Sequence, residues 1–105
     1  MIQILDTKTG SAPIIVCDHC GKRIDDAEDA AVIMPDTKRH PNKNRRAIHV
    51  HKGDCHDAVE ASEGGNVGWE EMTRHIRLLM NNLKITTEQL EKEGKNDTEF
   101  GITNK

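Results

Sequence analysis

All three cysteines of this chain fall in two short stretches, and that placement constrains the fold more than any other feature. The first stretch, Cys17-Asp18-His19-Cys20 closed by Gly21, is a Cys-x-x-Cys turn. The second is His49-Val50-His51-Lys52-Gly53-Asp54-Cys55-His56. Three thiols cannot all pair as disulfides. Two thiolates from a tight turn and two further Cys or His side chains from elsewhere are what one tetrahedral metal site needs. The chain also needs such a staple: with 105 residues, one Trp, one Phe and no Tyr, it can bury only a thin core. Zinc is the expected ion, and a reducing cytoplasm the expected setting.

Two classes are set aside early. Met1 to Leu5 lacks the basic start and apolar run of a secretion signal, and no apolar stretch is long enough to span a bilayer, so no membrane partner is expected. The formal net charge of -3 supplies no global field for nucleic acid. Charge is nevertheless local. Lys38, Arg39, His40, Lys43, Arg45 and Arg46 form one cationic segment, directly after the acidic Asp25, Asp26, Glu28 and Asp29. Most such runs are solvated surface; the sharper reading makes the 38 to 46 loop a contact for phosphate or an acidic partner.

The order of elements is readable. Ile2, Ile4 and Leu5 form a β-type run, Asp6 to Gly10 supplies turn chemistry, and Pro13-Ile14-Ile15-Val16 leads straight into Cys17, which predicts a hairpin feeding the Cys-x-x-Cys turn. Lys22 to Ile24 can extend as a short strand. Ala30 to Met34 is an apolar segment stopped by Pro35, and Arg46 to His51 alternates, with Ile48 and Val50 on one face and His49 and His51 on the other. With the polar loop between them, these two runs predict a second hairpin. Gly53 then breaks the strand, and Asp54 is the expected N-cap of a helix over Cys55 to Ser62. Cys55 would sit in the first turn, where backbone N–H groups favour a thiolate.

A knuckle, a hairpin and a helix whose first turn supplies the last ligand resemble the treble-clef zinc finger, over about residues 14 to 62. Cys17, Cys20, His51 and Cys55 match its order of ligands, and His49 is the reserve for the fourth. His19, His40, His56 and His75 are expected at the surface or behind the ligands. The resemblance implies an α+β fold and a scaffold, while treble-clef fingers serve as adaptors for protein, RNA or DNA and, in one branch, as nucleases. A Cys3His set fills all four positions of a zinc ion, which favours a structural over a catalytic metal. The nuclease alternative would recruit His49 or His56 with Asn66.

Beyond the finger, spacings of three and four from Gly68 to Leu83 predict one amphipathic helix, with Trp69, Met72, Ile76, Leu79, Met80 and Leu83 on its apolar face. Packing within the chain is the first reading of that stripe. A partner surface made of Trp69, Met72 and Ile76 is the second. Trp69, Ile76, Leu83 and Leu90 also recur every seventh residue, so a homodimer through residues 69 to 90 is a third. Thr86-Thr87-Glu88-Gln89 reads as a capping box opening a short helix to about Glu93. The expected organisation is therefore one zinc-binding domain over residues 1 to 93, with a helical part at 66 to 93 and a disordered tail at 94 to 105. The expected role is a zinc-stapled binding or adaptor module for a protein partner, with nucleic-acid binding through the basic loop as the alternative.

Overall fold

The computed structural model describes residues 1–36, 44–65 and 67–99. Its architecture is α+β, with two antiparallel three-stranded sheets and three helices among the described residues. The chain divides into two units, Met1–His75 and Ile76–Lys105, and the division falls inside the helical part expected at 66 to 93.

In the first unit, β1 (Ile2–Thr7) and β2 (Gly10–Val16) form a hairpin running from Ile2 opposite Ile15 to Thr7 opposite Gly10. Its two-residue turn is tied by Thr7 Oγ1, which accepts from the Thr9 N–H at 3.3 Å and donates to the Gly10 carbonyl at 2.8 Å. The two-residue β3 (Arg23–Ile24) pairs with the far end of β2 and completes the sheet β1-β2-β3. Every residue of β1 is exposed.

The second sheet, in the order β5-β4-β6, is built the opposite way. A single 3-10 turn over Ala27–Asp29, capped by the Asp26 carboxylate, leads into β4 (Ala30–Met34), whose first four residues are fully buried. β5 (Ile48–His51) pairs along one edge of β4, from Ala30 opposite His51 to Ile33 opposite Ile48. β6 (Gly68–Glu71) pairs along the other, from Ala31 opposite Glu71 to Met34 opposite Gly68. Ala31, Ile33 and Val50 face α1 (Asp54–Ser62), which adds Val59; Cys17 joins them to form the core. Ile33, Val50 and Val59 each contribute about 1.5–3 kcal/mol on burial.

β6 corrects the helix expected from Gly68. A strand buried on both faces is central and needs a partner on each side, so Gly68–Glu71 is taken into the sheet and α2 starts only at Met72 (Met72–Asn82). Trp69 lies on a strand, opposite Ile33. Met72 is 2% exposed and belongs to the buried interior rather than to an exposed stripe.

The second break lies at the end of α2. Ile85 N–H reaches the Met80 carbonyl (2.9 Å) and Lys84 N–H the Asn81 carbonyl (3.1 Å), a Schellman closure. Its left-handed position is held by Lys84 at φ 59°, which glycine would occupy with less strain. Thr86 and Gln89 then form the expected capping box: Gln89 N–H donates to Thr86 Oγ1 (3.1 Å) and Thr86 N–H to Gln89 Oε1 (2.7 Å). The helix it opens, α3, covers Thr87–Glu99 and so passes the end expected near Glu93 and takes in residues 94 to 99 of the expected tail. Residues 100 to 105 lie outside the described ones. Trp69, Ile76, Leu83 and Leu90 thus sit on β6, on α2, just past the end of α2 and on α3, and their seven-residue spacing does not run along one helix.

Candidate metal centre

Cys17 follows β2 directly, and the chain reverses there in a tight turn. Gly21 N–H donates to the Cys17 carbonyl (3.0 Å) and Cys17 N–H to the Lys22 carbonyl (2.9 Å). Gly21 sits at φ 75°, a conformation open to glycine at little cost. The turn is bolted to the second sheet through Asp18. Its N–H donates to the His49 carbonyl (2.7 Å), and its carboxylate accepts from the His49 N–H (2.8 Å). This brings the end of β5, and with it His51, beside the knuckle.

From His51 the chain must turn into a helix within two residues. Gly53 makes that turn as the N-cap at φ 89°, ψ −128°, with no side-chain cap bond, and Asp54 is the first helical residue rather than the expected cap. Cys55 is thereby delivered on the first turn of α1. The Sγ atoms of Cys17, Cys20 and Cys55 and a ring nitrogen of His51 all lie within 4.8 Å of one another. A tetrahedron with metal–sulfur bonds of about 2.3 Å has edges of about 3.8 Å, so small side-chain adjustments would close these four atoms on one ion. They form a group that could hold a metal, and no second group of three or more such donors occurs among the described residues.

The histidine is already oriented for that task. His51 Nε2 lies 3.2 Å from the Arg23 carbonyl oxygen, which can only accept, so the proton resides on Nε2. Nδ1 is left with its lone pair directed at Cys20 Sγ, 3.4 Å away. A carbonyl that fixes the tautomer of a metal-facing imidazole is the usual outer support of such a ligand.

The thiols are electrostatically unequal. Burial pushes the Cys17 thiol up, but the backbone N–H groups of Cys20, His51 and His19 outweigh it and bring Cys17 down to about 6. Cys55 goes the other way, to about 11, through burial and then the hydrogen bonds and negative charge of Cys17 and Cys20. At Cys55 these two sulfur neighbours oppose the stabilisation that the helix start offers a thiolate. A cation between the three sulfurs would reverse that penalty.

The other histidines have different partners. His49, the reserve ligand, is 8% exposed, with Nδ1 at 3.1 Å from the Met1 nitrogen and 3.6 Å from the Asp18 carboxylate, and its ring stands edge-on to His75 at 5.6 Å. It therefore does not join the four donors. Burial, the Met1 ammonium and His75 lower its pKa against the opposing pull of Asp18. His75 Nδ1 contacts Glu70 at 2.9 Å. His56 is 9% exposed rather than at the surface, its ring edge-on to Trp69 at 5.0 Å and its Nε2 3.2 Å from Glu60. His19 is exposed.

Compared with known protein families, with characterised proteins and with solved structures, the chain shows no match. Its chemistry must be read from its own side chains.

Of the basic segment, Lys38, Arg39, His40 and Lys43 lie outside the described residues, as does Asn66. Arg45 donates to the Pro35 carbonyl, and Arg46, 69% exposed, reaches the Asp18 carboxylate at 3.4 Å. Trp69 is 47% exposed and Ile76 is half-buried. No helix among the described residues is long and apolar enough to cross a membrane. Sequence reasoning missed Asp18 and Arg23. A residue pointing away from a metal, or one that acts through its backbone carbonyl, leaves no signature in spacing.

Proposed function

We propose that this protein is a structural-zinc module of treble-clef type that works as an adaptor for a protein partner in a reducing compartment such as the cytoplasm. Four donors from three separate elements, brought within 4.8 Å of one another, carry this reading. Cys17 and Cys20 come from the knuckle, His51 from the end of β5 and Cys55 from the first turn of α1, so one ion cross-links both sheets and the helix. Three thiolates and one imidazole are a soft set suited to zinc, and they fill its tetrahedron without leaving room for a reacting water. The ion is therefore assigned to folding.

The partner surface is placed around the exposed side of Trp69, since a half-exposed Trp backed by a buried histidine is the type of anchor that dominates protein interfaces. The 38 to 46 loop supplies the charge in this proposal. Leu83→Lys tests self-association through residues 69 to 90. Protein isolated without added metal should carry about one equivalent of zinc, and chelation should unfold Met1–His75. A metal-free protein with an unchanged fold refutes the zinc reading. Retention of zinc by folded His51→Ala together with its loss from folded His49→Ala would reassign the fourth ligand. Duplex binding that weakens steeply with salt would favour nucleic acid as the partner.

A further inference from the structure

The outer edge of β1 matches none of the roles above. Met1 and Val16 exchange both backbone hydrogen bonds, each at 2.8 Å. Partners in an antiparallel ladder alternate, so Met1, Gln3, Leu5 and Thr7 turn their N–H and C=O groups toward β2, while Ile2, Ile4 and Asp6 turn theirs outward. β1 is an edge strand. Its protection is slight: Ile2–Thr7 contains one charge, Asp6, and no proline, no lysine and no bulge, whereas the opposite edge of the same sheet is shortened to two residues. Two of the three side chains beside these groups, which take no strand partner among the described residues, are apolar, with Ile2 62% and Ile4 65% exposed on one face of the hairpin, next to Pro13 and Ile15 across the ladder.

We propose that β1 is a self-association edge, on which β1 of a second copy adds antiparallel so that the two sheets become one. The outward groups select the register. Only even offsets match outward residues with outward residues, and a two-fold axis through Ile4 gives the most: Ile4 with Ile4, Ile2 with Asp6, and Asp6 with Ile2 of the second copy. A shift of two residues either way loses one of these three hydrogen-bonded pairs. The two-fold also places Ile2, Ile4 and Pro13 of both copies on the same side of the joined sheet, giving one continuous apolar face.

Charge permits this arrangement. Asp6 is the strand's one charged residue, and its carboxylate accepts from Ser11 Oγ on its own hairpin at 2.6 Å. In the Ile4-centred register the two Asp6 residues stand four positions apart, about 13 Å along the strands, beyond the ~8–10 Å over which exposed charges act at ordinary salt. The area limits the strength. One short strand with its flanking faces covers less than the ~1,200 Å² at which stable interfaces begin, so the contact is a reversible one that fills with protein concentration. A foreign strand could use the same free groups, but the self-matching register makes a second copy the occupant.

Sedimentation velocity of the full chain, as purified, from about 5 μM to about 500 μM tests this. The wild type should shift from monomer toward dimer. Ile4→Lys, which sets two ammonium groups against each other on the axis, should weaken the dimer at least about tenfold with metal content and far-ultraviolet spectrum unchanged. Ile4→Glu should do the same, and an equimolar mixture of the two variants should restore the dimer. A wild type that stays monomeric throughout overturns the proposal. So does a dimer broken by Leu83→Lys and untouched by Ile4→Lys. A mixture that fails to reassociate while the wild type dimerises overturns the Ile4-centred register.

Discussion

The two sheets are matched in strand number and opposed in what holds them. In β5-β4-β6 the middle strand has four fully buried residues, and its neighbour β5 brings Val50 and Ile48 to the same core. In β1-β2-β3 the first strand is exposed throughout, and the sheet joins the core through Ile24 of β3 and at the end of β2, where Val16 and Cys17 become buried. The second sheet is stabilised by apolar area. The first is held by its attachment, through the knuckle and the Asp18 bridge to β5, so the ligand cluster lies where the weaker sheet needs a cross-link.

The largest expected effect breaks that attachment without disturbing packing. Cys20 is exposed, so Cys20→Ser removes little buried area, and under the zinc reading it removes a ligand. Zinc content should fall well below one equivalent, and hydrogen exchange should accelerate across the knuckle and β2 before it does in β4, because structural zinc contributes on the order of 10 kcal/mol to such folds. Unchanged stability would mean that the four donors hold no ion.

Ile33→Ala attacks the other sheet. Ile33 is fully buried in the core cluster, and its truncation should cost about 3 kcal/mol in urea unfolding, through lost transfer energy and the cavity left behind. Zinc affinity should change little as long as the first unit remains folded. A loss below about 1 kcal/mol would show that the second sheet also depends mainly on the cross-link.

The contrast also explains what was legible. Thiols at a Cys-x-x-Cys spacing have few chemical uses, and the β-branched runs before Cys17 and His51 read as strands because alternation and turn residues agreed. Trp69 was misread for a physical reason. Spacings of three from Trp69 to Met72 and four from Met72 to Ile76 satisfy a helix, and a four-residue strand is too short to oppose that pattern. The signal for a strand there lies in β4: a run such as Ala30-Ala31-Val32-Ile33, apolar on both faces, requires two strand partners, and the hairpin with β5 supplies one. The Asp54 cap was missed because the demand for a left-handed residue between β5 and α1 outranked side-chain capping, and Gly53 met it. His51 could be named from its place at the strand end, whereas the Arg23 carbonyl that sets its tautomer is a backbone atom and carries no residue signature.

A smaller effect tests the bridge between the sheets. Asp18→Ala leaves the His49 N–H without its carboxylate acceptor in a half-buried position, which should cost about 2 kcal/mol. Arg46 and the Met1 nitrogen would lose a partner too, but both contacts are solvent-exposed and contribute little. The variant should still bind metal. Its affinity should drop, since His51 is then delivered by a strand less firmly fixed to the knuckle, by about tenfold if the bridge acts as outer support for the ligand. Equal affinity with reduced stability would confine Asp18 to folding.

The smallest effect sharpens the comparison most. Ile4→Thr keeps a β-branched side chain in β1 and changes only its apolar character, so β-propensity is nearly constant. Ile4 is already 65% exposed, and unfolding of dilute protein should shift by no more than about 0.5 kcal/mol, several-fold less than for Ile33→Ala, although both are isoleucines in the middle of a strand. The same substitution should weaken self-association at high concentration, because the axis then pairs two hydroxyl-bearing side chains in place of two apolar ones. A cost near that of Ile33→Ala in dilute solution would place Ile4 in a buried environment within the monomer, and would remove both the contrast between the sheets and the free edge on which self-association depends.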